Sequence, residues 1–515
     1  MNTACSSTLL VALMLVLPVR SLLARPAVDS PRARLIILAD MGNEPDEEQQ
    51  MAHMLMCCNA FDLDALIAVT GKYLRPESKI EYRRSLHPEL FHRLIDGYAK
   101  VLPNLKLHGG GWPEPDFLRS IVYGGQERYG IADVGEGKAS PGSEAIVKAL
   151  LKEDARPIWV VVNAGANTLA QALTDLRARL KDDPAKLAAL VAKLRVFENG
   201  AQDNAGAWVC HEFPEIHWIR SNYQTYAYGG PGGRDGNTER GLGPHFWKPY
   251  PYSVEGQHQW LKEHVQTGHG PLGDLYPDRQ FGNGKLAFME GGGTVPWLGL
   301  VNQGLFDINQ PSWGGWSGRF TANKVENFWS RHADIKVDEL KVAPFSTHRE
   351  TSDVWTDPES GETFHGDYVP VWRWRPAMYA DFICRMDWCV KPFKEANHHP
   401  VAAFNGDTSD TIVRWKTRAG EVLEFDASGS TDPDGDELTY SWWQYEEAGT
   451  YPGRVFIERA DAAKAKVHIP TGAGGKQIHV ILEVRDKNLI ASLRDYRRVV
   501  VDVQDRIIEL DSAQK

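Results

Sequence analysis

The chain has 515 residues, of which 42% are hydrophobic and 24% charged, with a formal net charge of −11 at pH 7. That length exceeds one ordinary hydrophobic core, so two or more domains are expected, and the composition is that of a globular protein rather than a disordered or fibrous one. An acidic chain without a basic block excludes a nucleic acid polymer as its main partner.

Residues 7–18, Ser-Thr-Leu-Leu-Val-Ala-Leu-Met-Leu-Val-Leu-Pro, are apolar but too short to span a membrane comfortably, and small residues follow at Ala24 and Ala27. This reads as a secretory signal peptide over 1–27, although no Lys or Arg precedes Arg20. No other run of about 18 apolar residues occurs, so no membrane span is expected and the protein is placed in the periplasm or outside the cell. Export brings an oxidising compartment. Five cysteines remain after Cys5 leaves with the signal: Cys384 and Cys389 are a possible pair, and Cys57, Cys58 and Cys210 read as buried thiols. No paired CxxC pattern is present, which argues against a zinc cluster.

Arg34-Leu-Ile-Ile-Leu-Ala39 reads as a buried parallel strand. It runs into Asp40-Met-Gly-Asn-Glu-Pro-Asp-Glu-Glu48, and then into a segment whose Met51, Met54, Leu55 and Cys58 have helical spacing. Five carboxylates (Asp40, Glu44, Asp46, Glu47, Glu48) thus crowd one strand-to-helix turn. Two readings are open. Acids suit the first turn of a helix through its dipole. Alternatively, closely spaced oxygen ligands hold a hard divalent cation, at the strand end where open α/β sheets place their ligands.

Strands are expected at Leu35–Ala39, Ala65–Val69, Ile158–Val162 and Leu194–Phe197, with helices near 47–59, 79–100, 142–153, 168–180 and 184–193. Such alternation predicts an α/β domain over 32–392 with a mostly parallel sheet. Two further strands end in polar turns, Asn163-Ala-Gly-Ala-Asn-Thr168 and Glu198-Asn-Gly-Ala-Gln-Asp-Asn204. Acids and amides therefore converge on one sheet edge, where Asn163, Asn167, Asp203 and Asn204 are candidates for binding sugar hydroxyls. Helix capping uses the same residue types and is the competing reading.

Residues 200–320 are rich in Gly, Trp, Tyr and His, as functional loops are. His269 is the candidate proton donor there, against the commoner structural role of a lone histidine. Glu290, in Met289-Glu-Gly-Gly-Gly-Thr-Val-Pro-Trp297, is a candidate for binding substrate. Trp313 and Trp316 are candidates to stack on a ring, and Trp316 equally reads as a core plug. Trp372–Pro376 and a helix over Met378–Cys389 are expected to close the domain. From Asn397 to about 505 short alternating strands predict an all-β, immunoglobulin-like sandwich. Its Asp426–Glu437 turn reads as a plain Asp-Pro and Asp-Gly turn in preference to a structural calcium site.

Together these motifs carry a resemblance. Asp40, Gly42, Asp46 and Glu47 are similar to the Asp-Thr-Asp-Pro-Gly-x-Asp-Asp signature of inosine/uridine-preferring nucleoside hydrolases, with two extra residues before the acidic pair. Gly165-Ala-Asn-Thr-Leu-Ala170 is similar to their Gly-Pro-Leu-Thr-Asn-Leu-Ala turn. A closer resemblance covers about residues 32–505. It is to secreted bacterial proteins that join a nucleoside-hydrolase-like domain to an Ig-like domain, some of them described as cellulose-binding. Asn43–Glu47, Gly270–Gly273, Pro311–Trp316, Arg373–Pro376 and Asp432–Asp436 carry it.

The resemblance implies a calcium ion held by Asp40, by Asp46 or Glu47, and by a carbonyl near Asn167–Thr168. Asp40 or Asp46 would be the base that activates water for attack on a pentosyl-type N- or O-glycoside, and His269 would protonate the leaving group. One departure stands out. A further acidic ligand is expected after Gly291, and Gly292 and Gly293 occupy the place. The expected function is therefore a secreted, metal-dependent glycosidase. The alternative is a non-catalytic binder of cellulose or another polysaccharide.

Overall fold

The computed structural model describes residues 32–229, 254–281, 286–289, 292–302, 304–321, 324–326, 345–358 and 360–505. Six strands open the fold: β1 (Ala33–Ala39), β2 (Phe61–Ala68), β3 (Val122–Gly124), β4 (Ile158–Val162), β5 (Leu194–Asn199) and β6 (His217–Ser221). The first domain continues with β7 (Arg279–Phe281), β8 (Leu286–Phe288), β9 (Lys324–Glu326), β10 (Phe345–Arg349), β11 (Asp353–Thr356) and β12 (Thr363–Gly366). An eight-stranded sheet runs β3-β2-β1-β4-β5-β6-β10-β9. Its members are parallel except β9, which pairs antiparallel with β10.

β1 is covered on both faces, as its unbroken apolar run requires. Leu35, Ile37 and Ala39 enter one core, with Met51, Met54, Leu94 and Phe382. Ile36 and Leu38 enter the other, with Ile146, Leu150, Leu169 and Leu173. Alternate side chains of one strand thus serve two layers of helices. The register pairs Leu38 with Val162 and Val162 with Glu198, so β1, β4 and β5 end at one edge.

The helix expected from residue 79 begins instead at Pro88 and runs to His108, with only a short 3₁₀ turn at Glu81–Arg84 before it. Pro88 takes the first helical position, and the residue before a proline is disfavoured in helical conformation. The helix Arg375–Trp388 does close the domain against its core. It also rules out the Cys384–Cys389 pair. Five residues apart along a helical path, the two side chains leave on different sides of the axis. All five described cysteines are free and buried.

The second domain holds seven strands: β13 (Val413–Arg418), β14 (Val422–Asp426), β15 (Leu438–Gln444), β16 (Phe456–Glu458), β17 (Lys464–His468), β18 (Gln477–Asp486) and β19 (Arg494–Gln504). They form sheets ordered β13-β19-β18-β15 and β14-β17-β16. Leu423, Phe425 and Val467 of one sheet pack with Val480, Leu482, Val499 and Val501 of the other, around Trp442. Polar bonds join the domains closely. His399 Nε2 lies 2.7 Å from Asp381, Tyr445 donates to Asp353 at 2.7 Å, and the buried Arg498 donates to the carbonyls of Leu305 and Gly314. Among the described residues no helix is long and apolar enough to cross a membrane. The signal-peptide segment and Glu290 lie outside the described residues.

Candidate functional site

Asp40 directly follows β1 and is 1% exposed. Its Oδ2 accepts from Asn43 Nδ2 at 2.9 Å. Gly71 packs so closely against this carboxylate that a Cβ there would stand 2.5 Å from Oδ2. Gly42, at φ +88°, turns the chain, and Pro45 starts the helix Pro45–Leu55. The helix then separates its acids. Glu48 turns toward Arg93, at 3.7 Å. Glu47 turns inward, where its Oε2 accepts from Asn163 Nδ2 at 3.0 Å and from Gln50 Nε2 at 3.2 Å. Asn163 directly follows β4, and Gln50 is itself fixed by Trp297 Nε1 at 3.0 Å.

The electrostatics are those of an uncompensated site. Burial, then the charges of Asp46 and Glu44, push the Asp40 carboxyl up to about 8. Burial, then Asp46 and Asp40, push Glu47 well above the usual carboxylate range. Both are held by neutral amides. Four buried amide oxygens, on Asn43, Asn163, Asn167 and Asn199, accept no hydrogen bond. Such orphans are rare and call for an explanation such as a missing ligand.

A glycine loop lies against the site. Gly292 O accepts from Asn199 Nδ2 at 2.7 Å and from Thr225 Oγ1 at 2.5 Å. A Cβ on Gly292 would stand 3.7 Å from Asp46 Oδ2, and one on Gly293 would stand 2.8 Å from Asn163 Nδ2. The place where an acidic ligand is expected therefore does face the acidic loop, and backbone fills it. Ala201, in the loop after β5, holds φ +48°, an uncommon conformation that concentrates at functional sites.

The other expected residues sort differently. Asp203 accepts from the backbone N–H of Asn167 (3.2 Å) and of Ala205 (2.9 Å), tying two helix starts together. Burial pushes it up to about 6, opposed by those donors. Asn204 accepts from Ile131 N, and Thr168 Oγ1 from Gln126 N. These three are structural ties behind the edge. Asn167 and Thr168 also lie in the first turn of Ala166–Arg179, where backbone carbonyls are committed to the helix.

His269 stands apart from the acidic loop, with its Nε2 3.4 Å from Asp387 on the closing helix. Trp316 is a core residue, 1% exposed. Trp313 is also buried, edge-on to His479 with Arg414 over its ring. It borders a cavity with Ala33 and Pro157, at the amino ends of β1 and β4, the opposite end of the sheet from Asp40. Asn43, Gln50, Asn199 and Thr225 are the site residues that sequence reasoning missed. Asn199 carried a signal as the last residue of β5 and Asn43 as part of the acidic loop; Gln50 and Thr225 are recognisable only from their partners.

The donor set at the edge fits a hard cation: carboxylates of Asp40, Asp46 and Glu47 with unused amide oxygens nearby. The three carboxylates are not gathered at mutual ligand distance. Among the described residues the trio within 4.8 Å of one another is His53, Cys57 and Asp381 in the core. Asp381 there is already engaged by Arg385 at 2.8 Å and by His399.

Residues 34–320 match a family described as cellulose-binding Sde182, nucleoside hydrolase-like domain, and residues 422–503 match the C-terminal domain of cellulose-binding protein Sde0182. A nucleoside hydrolase-related hypothetical protein from Saccharophagus degradans, associated with carbohydrate metabolism, is 34% identical. The match covers 92% of this chain and 100% of that one, with a TM-score of 0.76. The effector protein XOO4466 is 12% identical over 63% of this chain and 88% of its own, at a TM-score of 0.26, too low to support any argument. No curated protein matches.

Proposed function

Because this chain belongs to the Sde182 family of cellulose-binding proteins with a nucleoside hydrolase-like domain, we propose that its acidic sheet edge hydrolyses a pentosyl-type N- or O-glycoside with calcium bound. The observation that carries this reading is the pair of buried carboxylates, Asp40 and Glu47, without cationic partners and beside orphaned asparagine oxygens. Asp40, Asp46 and Glu47 would hold the ion. When bound, calcium supplies positive charge that lowers the proton affinity of these carboxyls and of a coordinated water.

The chain's own residues do the rest. Asp40 accepts the proton of the attacking water at its carboxylate. Asn163 and Asn199 offer unused oxygens to sugar hydroxyls, each oriented by the bond its own amide N–H₂ already makes. Gly292 and Gly293, without side chains, let the backbone close against Asn199 and Asn163 and so hold those two amides in place. Tyr226, half-buried with its ring beside Gly292 and its hydroxyl toward Gly200, offers a proton to the leaving group in place of His269. The protein would act outside the cytoplasm on glycosides or polysaccharide.

One observation favours a second reading, a non-catalytic polysaccharide binder: glycine backbone stands where a further acidic ligand belongs. Release of reducing sugar from nucleosides and pentose-containing glycans, with and without chelator, decides between them. Chelator-sensitive turnover is expected. No turnover by the wild type, together with retained binding to cellulose after Asp40→Ala, overturns the enzyme and leaves the binder.

A further inference from the structure

A second feature lies far along the chain from the acidic loop, at the junction of the domains. A cavity of about 750 Å³ opens between the β11–β12 hairpin and the outer face of β15 with the loop that follows it. That volume lies within the ~300–1,000 Å³ of pockets that enclose a small ligand. Strand alternation builds one wall. Trp442 points into the sandwich core, so Ser441 and Trp443 point out of it. Glu483 and Tyr496, paired across β18 and β19, extend the same wall.

The cleft is lined by aromatic rings that are not fully covered. Trp443 and Tyr451 of the second domain are half-buried, as is Trp355 of the hairpin, which stacks on Phe364 at 5.9 Å. Trp443 is braced by Trp374 and Tyr445, each 5.6 Å away. A braced ring keeps its orientation and makes a good stacking platform.

The lining holds four arginines and four carboxylates. Arg494 pairs with Glu483 at 2.9 Å, Arg454 with Glu446 at 3.1 Å, and Arg373 with Glu447 at 3.7 Å. A polyanion finds no excess positive charge there. Sugar hydroxyls both donate and accept, so they match a wall of alternating guanidinium and carboxylate groups.

We propose that this inter-domain cleft binds a short segment of an uncharged polysaccharide, stacked on Trp355, Trp443 and Tyr451. The proposal rests on the reading of the chain as directed at glycans, and adds a site separate from the acidic edge.

The test is calorimetric titration of the full chain with three probes: a β-1,4-linked glucose hexasaccharide, a β-1,4-linked xylose hexasaccharide and polygalacturonate. At least one neutral hexasaccharide is expected to bind, and polygalacturonate is not. Trp443→Ala and Tyr451→Ala should each weaken that binding about tenfold or more. Trp443→Phe should restore most of it, and Asp40→Asn should leave it unchanged. Tyr451 lies in a loop, so its variant serves if Trp443→Ala fails to fold. The proposal is overturned if neither neutral probe binds, if both aromatic variants bind like wild type, if polygalacturonate binds better, or if Asp40→Asn abolishes binding. Loss of all glycosidase activity with cleft binding intact would sink the hydrolase reading and leave this one standing.

Discussion

The chain carries two acid-rich turns of similar composition, and they have opposite fates. In the stretch after β1, Asp40 and Glu47 are buried against amides and against the charge of Asp46. In the turn before β15, the protein supplies most of the partners, although Asp432 Oδ2 stays buried without one and burial raises that carboxyl. Asp432 Oδ1 accepts from the backbone N–H of Asp434 and Asp436, Asp434 pairs with His398 at 2.9 Å, and Asp436 accepts from Asn488 at 3.0 Å. That is the plain-turn arrangement, with the acids spent on holding the chain. Acid count therefore does not identify a site; unbalanced burial does.

The sharpest way to break this contrast is Asp40→Asn. If the first loop is the catalytic one, reducing-sugar release should fall about 10²–10⁴-fold, the range lost with a general base. Asp436→Asn in the second turn should leave turnover unchanged. Equal effects would erase the distinction.

A melting scan against pH probes the same difference without a substrate. Folding raises the Asp40 carboxyl from 3.8 to about 8, so the folded state binds that proton more tightly. The resulting stabilisation is complete below about pH 4 and is lost as pH rises toward about 8. Metal-free protein should melt progressively lower across that window. Calcium should flatten the slope, and Asp40→Asn should remove the share that Asp40 contributes. A profile that ignores both treatments counts against the uncompensated site.

Gly292→Asp sharpens the comparison by restoring the expected ligand. Its Cβ would meet Tyr226 and Asn199 at 3.2–3.3 Å, a tight but adjustable fit. Calcium affinity, read by titration, should rise about tenfold, the 1.4 kcal/mol of one modest added contact. The smallest effect is expected from Asp436→Asn on stability, within about 0.5 kcal/mol by denaturant unfolding.

Much of the fold was legible. The apolar run of β1 between turn residues, and the alternation of strands with helical spacings, are local signals that need no tertiary knowledge. The convergence of β1, β4 and β5 on one edge follows from parallel pairing, and Asp40, Glu47 and Asn163 meet there. The site was less legible where one residue type serves two purposes. Asp203, Asn204 and Thr168 proved to be ties between loops. His269 pairs with Asp387, more than a hundred positions away. Trp316 fills the core, one of six tryptophans among the largest fully buried side chains.

The sequence by itself determined the order of elements, the two-domain plan and the placing of acids at a strand end. These depend on periodicity and turn chemistry within about ten residues. Tertiary structure alone decided which acids lose their water, which asparagine oxygens are left without donors, and that Gly292 closes on Asn199 from 93 residues away. Desolvation and pairing depend on what packs from distant parts of the chain, and local sequence does not specify those neighbours.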